Sequence, residues 1–473
     1  MTRPPPVIAE LVAGLTSGRL SARELLDQSL DRIGRYNDGL RLVTTIDERA
    51  PRWAREADDA AARGESLGPM HGIPVTVKDS FATEGLRTTA GLPELAGHTP
   101  AHDADVVQAL RRAGAVVFGK TNLAAGCADV QADNPLFGAA ANPWDPAYTT
   151  GGSSGGSAGA VAAGFSVADV GSDIAGSIRI PAAACGVFGH RPSFGIVPMR
   201  GHIPPLQPIE PDLAVAGPLA ANVADLETLL DVLVGPGRHD RPAWRVELPA
   251  ARTIRRVAIW DDDPYCHVDA EIRGALATAA TALAGAGVQV EPRRPTGIRL
   301  DESDSVARRL LASVALKNHR PADLAAIAAG TRPPGDGLGD EFAAQSYAEW
   351  MTADARRERL RARWHSFFTD FDAILLPVGP ALVGRHDDRP FAERRIVVDG
   401  VERPYWDQLP WTSLTGLARL PTTVVPVQRD SRGLPIGIAV AGPYLEDRTT
   451  LQVARLLSEA FGPLGRPDLD LAR

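Results

Sequence analysis

Lysine is almost absent from this chain. Among 473 residues there are 50 basic side chains, and all but Lys78, Lys120 and Lys317 are arginine. Arginine stays protonated, whereas a lysine taken out of water can lose its proton and act as a base. A chain that meets its need for surface charge with arginine leaves its few lysines as candidates for work that arginine cannot do. Cysteine is equally sparse: Cys127, Cys185 and Cys266 are spread apart and odd in number. They form neither a disulfide framework nor a metal motif, and Cys185 in PAAACGVFG reads as a small core residue. Long apolar runs are missing too. The most apolar stretch, Ala158 to Val170, is rich in Gly and Ala and carries Asp169, which excludes a membrane span. MTRPPPVIAELVAGL has too short an apolar run for a signal peptide, so a cytoplasmic location is expected. A net charge of −8 argues against a nucleic-acid partner.

What the chain does have is a stretch of glycine and serine, from Gly151 to Arg179: GGSSGGSAGAVAAGFSVADVGSDIAGSIR. Ser153 and Ser177 sit on two glycine-lined turns, 24 positions apart, joined by a small-residue apolar segment. Three readings compete. The run is a flexible linker, a phosphate cradle before a helix, or a serine nucleophile beside free backbone N–H groups. The packed look of AGAVAAG and ANPWDP on either side disfavours a linker. The lack of GKS, GKT or GxGxxG weakens the nucleotide reading.

Lys78 stands in HGIPVTVKDSF. The β-branched IPVTV reads as a buried strand, so a lysine at its end is desolvated or lines a pocket. A salt bridge with Asp79 or another carboxylate is the competing reading. Lys120 follows a second short buried strand, AVVFG, and Lys317 belongs to a polar helix face.

With Lys78, Ser153 and Ser177 in view, the chain resembles the amidase signature family. The resemblance is carried by GIPVTVKD, by GKTN at Gly119 to Asn122, and by QADNPLFGAAANPWDP at Gln131 to Pro146. It continues through GGSSGGS, GSDIAGSIRIPAAACGVFGHRPS and GLPIGIAVAGP at Gly433 to Pro443. By position, the resemblance implies that Ser177 is the nucleophile and Lys78 the base. Ser153 is the bridging serine, which in the family follows a cis peptide bond. The backbone N–H groups of Ile174, Ala175, Gly176 and Ser177 form the oxyanion hole. Neither a metal nor a cofactor is implied. Ser154, Asp173 and Arg179 are expected to fix the two turns through hydrogen bonds and ion pairs. The chain departs from the family pattern at Ala175, where Gly is usual, at Thr150, where Pro is usual, and at Arg191, where Lys is usual. Cys127 also lies near a position that is commonly polar. Candidates for substrate binding are Cys127, Gln131, Gly151, Gly152, Tyr347 and Trp350, with the His202 to Leu206 and Tyr405 to Trp411 segments. Gly384 to Phe391 places one His beside two Asp, a weak metal signal that reads as an exposed loop.

Strands alternating with helices imply an α/β fold: a large mixed central sheet covered by helices on both faces. We expect one amidase domain over 1–473. Within it, 6–62 reads as helices, 65–235 as the signature core, 236–370 as a variable substrate-side region, and 371–473 as the rest of the sheet and a last helix. The leading expectation is an amidase that turns a carboxamide into an acid and ammonia or amine. Its partner is a small-molecule amide, and a homodimer is the assembly that the family suggests. The alternatives are a glutaminase subunit of a tRNA-dependent amidotransferase and an inactive binding protein on the same scaffold.

Overall fold

PVTVK is buried along its whole length as the strand β2 (Pro74–Lys78), because β-branched side chains pack well on both faces of a covered sheet. It belongs to a computed structural model that describes residues 7–203, 205, 210–315, 320–333 and 335–472. In chain order the strands are β1 (Val43–Ile46), β2, β3 (Val116–Thr121), the small pair β4 (Ala141–Asn142) and β5 (Asp145–Thr149), β6 (Ala168–Asp173), β7 (Phe188–Arg191) and β8 (Val215–Ala220). They continue with β9 (Arg256–Ile259), β10 (Gln289–Pro292), β11 (Ala373–Pro377), the pair β12 (Arg395–Val398) and β13 (Val401–Pro404), β14 (Thr422–Arg429) and β15 (Pro435–Ala441). Eleven of these form one sheet, ordered β1-β3-β2-β6-β8-β7-β14-β15-β11-β9-β10. The sheet is mixed: β2 runs parallel to β3 and β6, whereas β6–β8 and β14–β15 are antiparallel. Helices cover both faces, and the expected architecture is the observed one.

The sequence of residues 6–62 reads as helices throughout. Three helices lie there, but Val43–Ile46 pairs antiparallel with β3 as an edge strand. Four residues carry too little periodicity to reveal an edge strand, and the partner that defines it is far along the chain. The helix Ala22–Leu40 starts where its cap suggests: Ser21 Oγ accepts the Glu24 N–H at 3.3 Å. Strands β9 and β10, from the region expected to be variable, are part of the same sheet. Lys317 and Leu206 fall outside the described residues.

The sheet positions the site through its parallel part. β2, β3 and β6 lie side by side and point the same way, with Lys78 opposite Thr121 at the end of the β2–β3 ladder. Lys78, Lys120 and the Ser172–Asp173 end of β6 therefore converge outside the carboxyl ends of adjacent strands, where open α/β sheets bind ligands.

The glycine-serine run is neither linker nor phosphate cradle. Every residue from Gly151 to Ala163 is buried, and the helix Gly155–Ala162 presses against β3. Its first N–H groups are committed: Gly156 donates to the Asn122 carbonyl at 3.0 Å, and Ser154 to the Ser177 carbonyl at 3.2 Å. Gly156 is required for this approach, since a Cβ there would lie 2.3 Å from Asn122 N and 2.7 Å from Leu42 O. Gly156→Ala is expected to cost about 1–3 kcal/mol through overpacking. The exposed mid-helix Gly274, with nothing within 4 Å of its would-be Cβ, should gain about 1 kcal/mol on Gly274→Ala. Denaturant midpoints of the two variants should move in opposite directions.

Candidate active site

Lys78 is fully buried, and its neighbours are hydroxyls. Nζ lies 2.6 Å from Ser153 Oγ and 3.0 Å from Ser172 Oγ, and it also contacts the Cys127 side chain. Burial pulls the amine below the ordinary lysine range, against the opposing influence of Cys127 and the carboxylates of Asp173 and Asp169. The competing salt bridge to Asp79 is not formed. The Asp79 carboxylate accepts the Thr89 N–H at 3.1 Å and the Thr89 hydroxyl at 2.5 Å. Its nearby cation is Lys120. Burial raises the Asp79 carboxyl to about 6, with Lys120 and Thr89 acting against the rise. Burial likewise lowers Lys120 to about 8, with Asp79 and Asp169 opposing. The Lys120 amine donates to the Phe81 carbonyl and, at 2.9 Å, to Thr83 Oγ1. The two described lysines therefore differ in kind: Lys120 is tied into the structure beside acids, and Lys78 is bonded to two serines that line a cavity.

Ser153 follows a cis peptide bond with Gly152. Ser153, Ser172 and Ser177 share the wall of one cavity of about 360 Å³. The turn bearing Ser177 is held from behind. The Asp173 carboxylate accepts from the backbone N–H of Gly176 (2.9 Å) and Ile178 (3.1 Å), and from the Arg179 guanidinium at 2.9 and 2.7 Å. Arg179 passes this tie onward to the Thr412 carbonyl at 2.7 Å and Thr415 Oγ1 at 3.0 Å. Burial alone would raise the Asp173 carboxyl. The guanidinium groups of Arg179 and Arg191 and the backbone donors outweigh it and hold the group well below the usual carboxylate range. Ser154 Oγ reaches the Ser172 carbonyl at 3.2 Å. Ser154, Asp173 and Arg179 thus fix the turns, as their chemistry suggests.

The four N–H groups expected to form an oxyanion hole differ in their partners here. The Gly176 N–H donates to the Asp173 carboxylate. The N–H groups of Ile174, Ala175 and Ser177 have no protein acceptor among the described residues. Ala175 takes no left-handed backbone angle, so a methyl is accommodated there. Its side chain lines the cavity, and its carbonyl accepts from Thr412 Oγ1 at 2.6 Å.

The candidate substrate residues divide. Cys127 lines the cavity, and the others do not. Gln131 is turned onto the Asp387 backbone, donating at 2.8 Å and accepting at 3.0 Å. Gly151 faces a separate small cleft with Thr149 and Ile180, and Gly152 is packed on the Val130–Gln131 backbone. Tyr347 is 76% exposed and stacks on the half-buried Trp350 at a helix start. Among the later aromatics, Trp406 reaches the cavity. Trp411 is buried against Trp260, and the Tyr405 hydroxyl donates to Asp129 at 2.6 Å. His202, from a segment read as a substrate-binding candidate, does line the cavity, while Ser172 and the pairing of Asp129 with Arg394 at 2.7 Å are features that the sequence does not reveal. The rest of the cavity wall is largely apolar, with Ile203, Leu311, Val314, Leu338, Phe391 and Leu409, and also carries Asp336 and Asp340.

A buried amine bonded to one serine lies beside a cavity that this serine and a second one, on a locked turn, both line. The Amidase family model matches residues 24–451, and the chain belongs to that family. Among curated relatives, a glutamyl-tRNA(Gln) amidotransferase chain of Synechococcus sp. (strain CC9311) is 32% identical over 97% of this chain and 98% of its own. Among solved structures, one similar chain comes from the vestigial protein complex that reveals the origins of an s-triazine catabolic enzyme. It is 28% identical with TM-score 0.82, over 98% of this chain and 100% of that one. A 6-aminohexanoate cyclic dimer hydrolase complexed with substrate is 25% identical with TM-score 0.79, over 98% and 99%.

Arg179→Leu leaves Asp173 buried without its partner and is expected to cost about 3–5 kcal/mol, read from denaturant midpoints at pH 7. The Asp173 carboxyl is held below its unfolded value of ~3.9. Its contribution to stability is therefore present above that pH and is lost as the pH falls through the lower folded value. Asp173→Asn should flatten the acid side of the stability profile.

Proposed function

We propose that this protein hydrolyses a carboxamide through an acyl-enzyme on Ser177, with Ser153 relaying protons to and from Lys78. The observation that supports this most is the Lys78 environment: a buried amine, depressed by burial, 2.6 Å from Ser153 Oγ in the cavity that Ser177 lines. Neutral Lys78 takes the Ser153 proton as Ser153 takes that of Ser177. Ser177 Oγ attacks the amide carbon. The N–H groups left free on the Ile174–Ser177 turn receive the developing oxyanion. The proton returns through Ser153 to the leaving nitrogen, the C–N bond breaks, and water releases the acid by the same relay. The apolar wall and the pairing of Asp129 with Arg394 and Tyr405 favour an apolar or aryl acyl group.

A second reading is a glutaminase component of a larger enzyme, favoured by the 32% identity over nearly full length to a glutamyl-tRNA(Gln) amidotransferase chain. Glutamine carries an ammonium and a carboxylate, and a site for it needs a free charge of each sign. Of the acids that line the cavity, Asp129 and Asp173 are already paired with arginine, and Asp336 and Asp340 accept backbone N–H groups of Ala392 and Gly337. Assays of the lone chain against aryl and aliphatic amides and L-glutamine separate the two readings. Release of amine or ammonia from the apolar amides supports the first, and activity confined to glutamine supports the second.

Ser177→Ala and Lys78→Arg should each lower amide turnover by about 10³-fold or more, and only Ser177→Ala should abolish the mass adduct with a fluorophosphonate. Full activity of Lys78→Arg would remove lysine as the base, because arginine cannot be neutral there. Turnover should rise with pH as Lys78 deprotonates, with a midpoint below the ordinary lysine value of ~10.4.

A further inference from the structure

His202 is buried and takes no part in the reaction as written, yet it belongs to a line of hydrogen bonds that begins at the proposed base. Its Nε2 is 3.0 Å from Ser172 Oγ, which is 3.0 Å from Lys78 Nζ. The ring is held edge-on to Phe81 at 5.1 Å, and its backbone N–H donates to the Met199 carbonyl at 3.1 Å. Lys78 at the end of β2 with Asp79 just after it, Lys120 on β3, and Asp169 and Asp173 on β6 are the titratable groups of the strands packed here; Cys127, Asp129, Asp336 and Asp340 share the cavity wall. Asp79 is engaged by Thr89, Asp169 by Thr76 at 2.6 Å and Thr121 at 3.1 Å, Asp173 by Arg179, and Asp129 by Arg394. Among the described residues, no carboxylate stands in the line from His202 through Ser172 to Lys78.

We propose that His202 is a positioning residue: through Ser172 it decides which way the Lys78 lone pair points. The argument rests on Lys78 being the base. A neutral amine has two hydrogens and one lone pair to share among Ser153, Ser172 and Cys127. Ser172 has one hydrogen. When neutral His202 accepts that hydrogen at Nε2, Ser172 Oγ can only accept from Lys78, and a Lys78 N–H must face it. The thiol of Cys127 is a weak donor, so the lone pair is left for the Ser153 hydroxyl, as the relay requires. When His202 is protonated, Nε2–H donates to Ser172. The Ser172 hydrogen then turns to the Lys78 lone pair, and the base is capped without gaining a proton. Histidine is the side chain whose ordinary titration lies between pH 5 and 8, so this places a second proton switch on the acid side of activity.

The test compares His202→Gln, whose amide oxygen can accept from Ser172 but does not titrate, with His202→Phe, which offers no acceptor. Two readouts are followed from pH 5 to 10: the rate of Ser177 labelling by a fluorophosphonate, and kcat and KM on an aryl amide. In wild type the logarithm of the rate should fall on the acid side with a slope approaching two protons, and in the Gln variant with a slope of one. The Gln variant should keep the alkaline rate within about threefold, while the Phe variant loses about tenfold or more in kcat at all pH values, with KM moved less than about threefold. An unchanged acid slope in the Gln variant overturns the proposal, as does an equal fall in both variants or a Phe variant that matches wild type. If the Phe variant does not fold, the acid slope of the Gln variant alone decides. Wild type that is never labelled at Ser177 overturns the proposed function and this inference together, whereas normal labelling with an unchanged slope overturns this inference alone.

Discussion

An amine kept out of water and surrounded by hydroxyls is the constraint on which the rest of this structure depends. Lys78 cannot be exposed, because water would restore its charge. It cannot sit beside a free carboxylate, because an ion pair would do the same. The fold answers both demands with one arrangement. A strand buried on all five residues carries the amine to its end. The neighbouring acid, Asp79, is occupied by Thr89 and Lys120 instead. Lys120, bonded to the Phe81 carbonyl and Thr83, supplies the positive charge near Asp79.

A second layer holds the Ser177 turn. Asp173 gathers backbone donors and the Arg179 fork, and Arg179 ties them to the helix Pro410–Leu417. This buried, charge-assisted network is rigid because each member is satisfied by several others. It also separates four adjacent N–H groups. One is given to the lock, and those of Ile174, Ala175 and Ser177 have no protein acceptor among the described residues.

Much of this is legible in the residues. Three lysines in a chain full of arginine single out Lys78, and the strand before it announces its burial. The glycine-serine run announces two turns, and the family resemblance assigns Ser153 and Ser177 their parts. The hydrogen bond from Gly176 to Asp173 is locally readable: an Asp three residues before a backbone N–H is the spacing of an Asx-type turn. Ser172 and His202 are not readable as neighbours of the base. Ser172 lies 94 positions from Lys78, and only the β2–β6 pairing brings them together. Tyr347 and Trp350 read as pocket aromatics, because an aromatic pair stacked on an outer helix has the same composition as one lining a pocket.

The tie from Arg179 to Thr412 has a consequence for how the protein is made. A growing chain that has emerged as far as residue 235 already holds Lys78, Ser153 and Ser177. It does not yet hold the carbonyl that receives Arg179, the strand β14 that borders β7, or the Phe391 and Trp406 side of the cavity. The chemical groups are synthesised early and their geometry is completed late. A nascent chain therefore carries Ser177 through a long stretch of translation before the groups that frame its turn have been made.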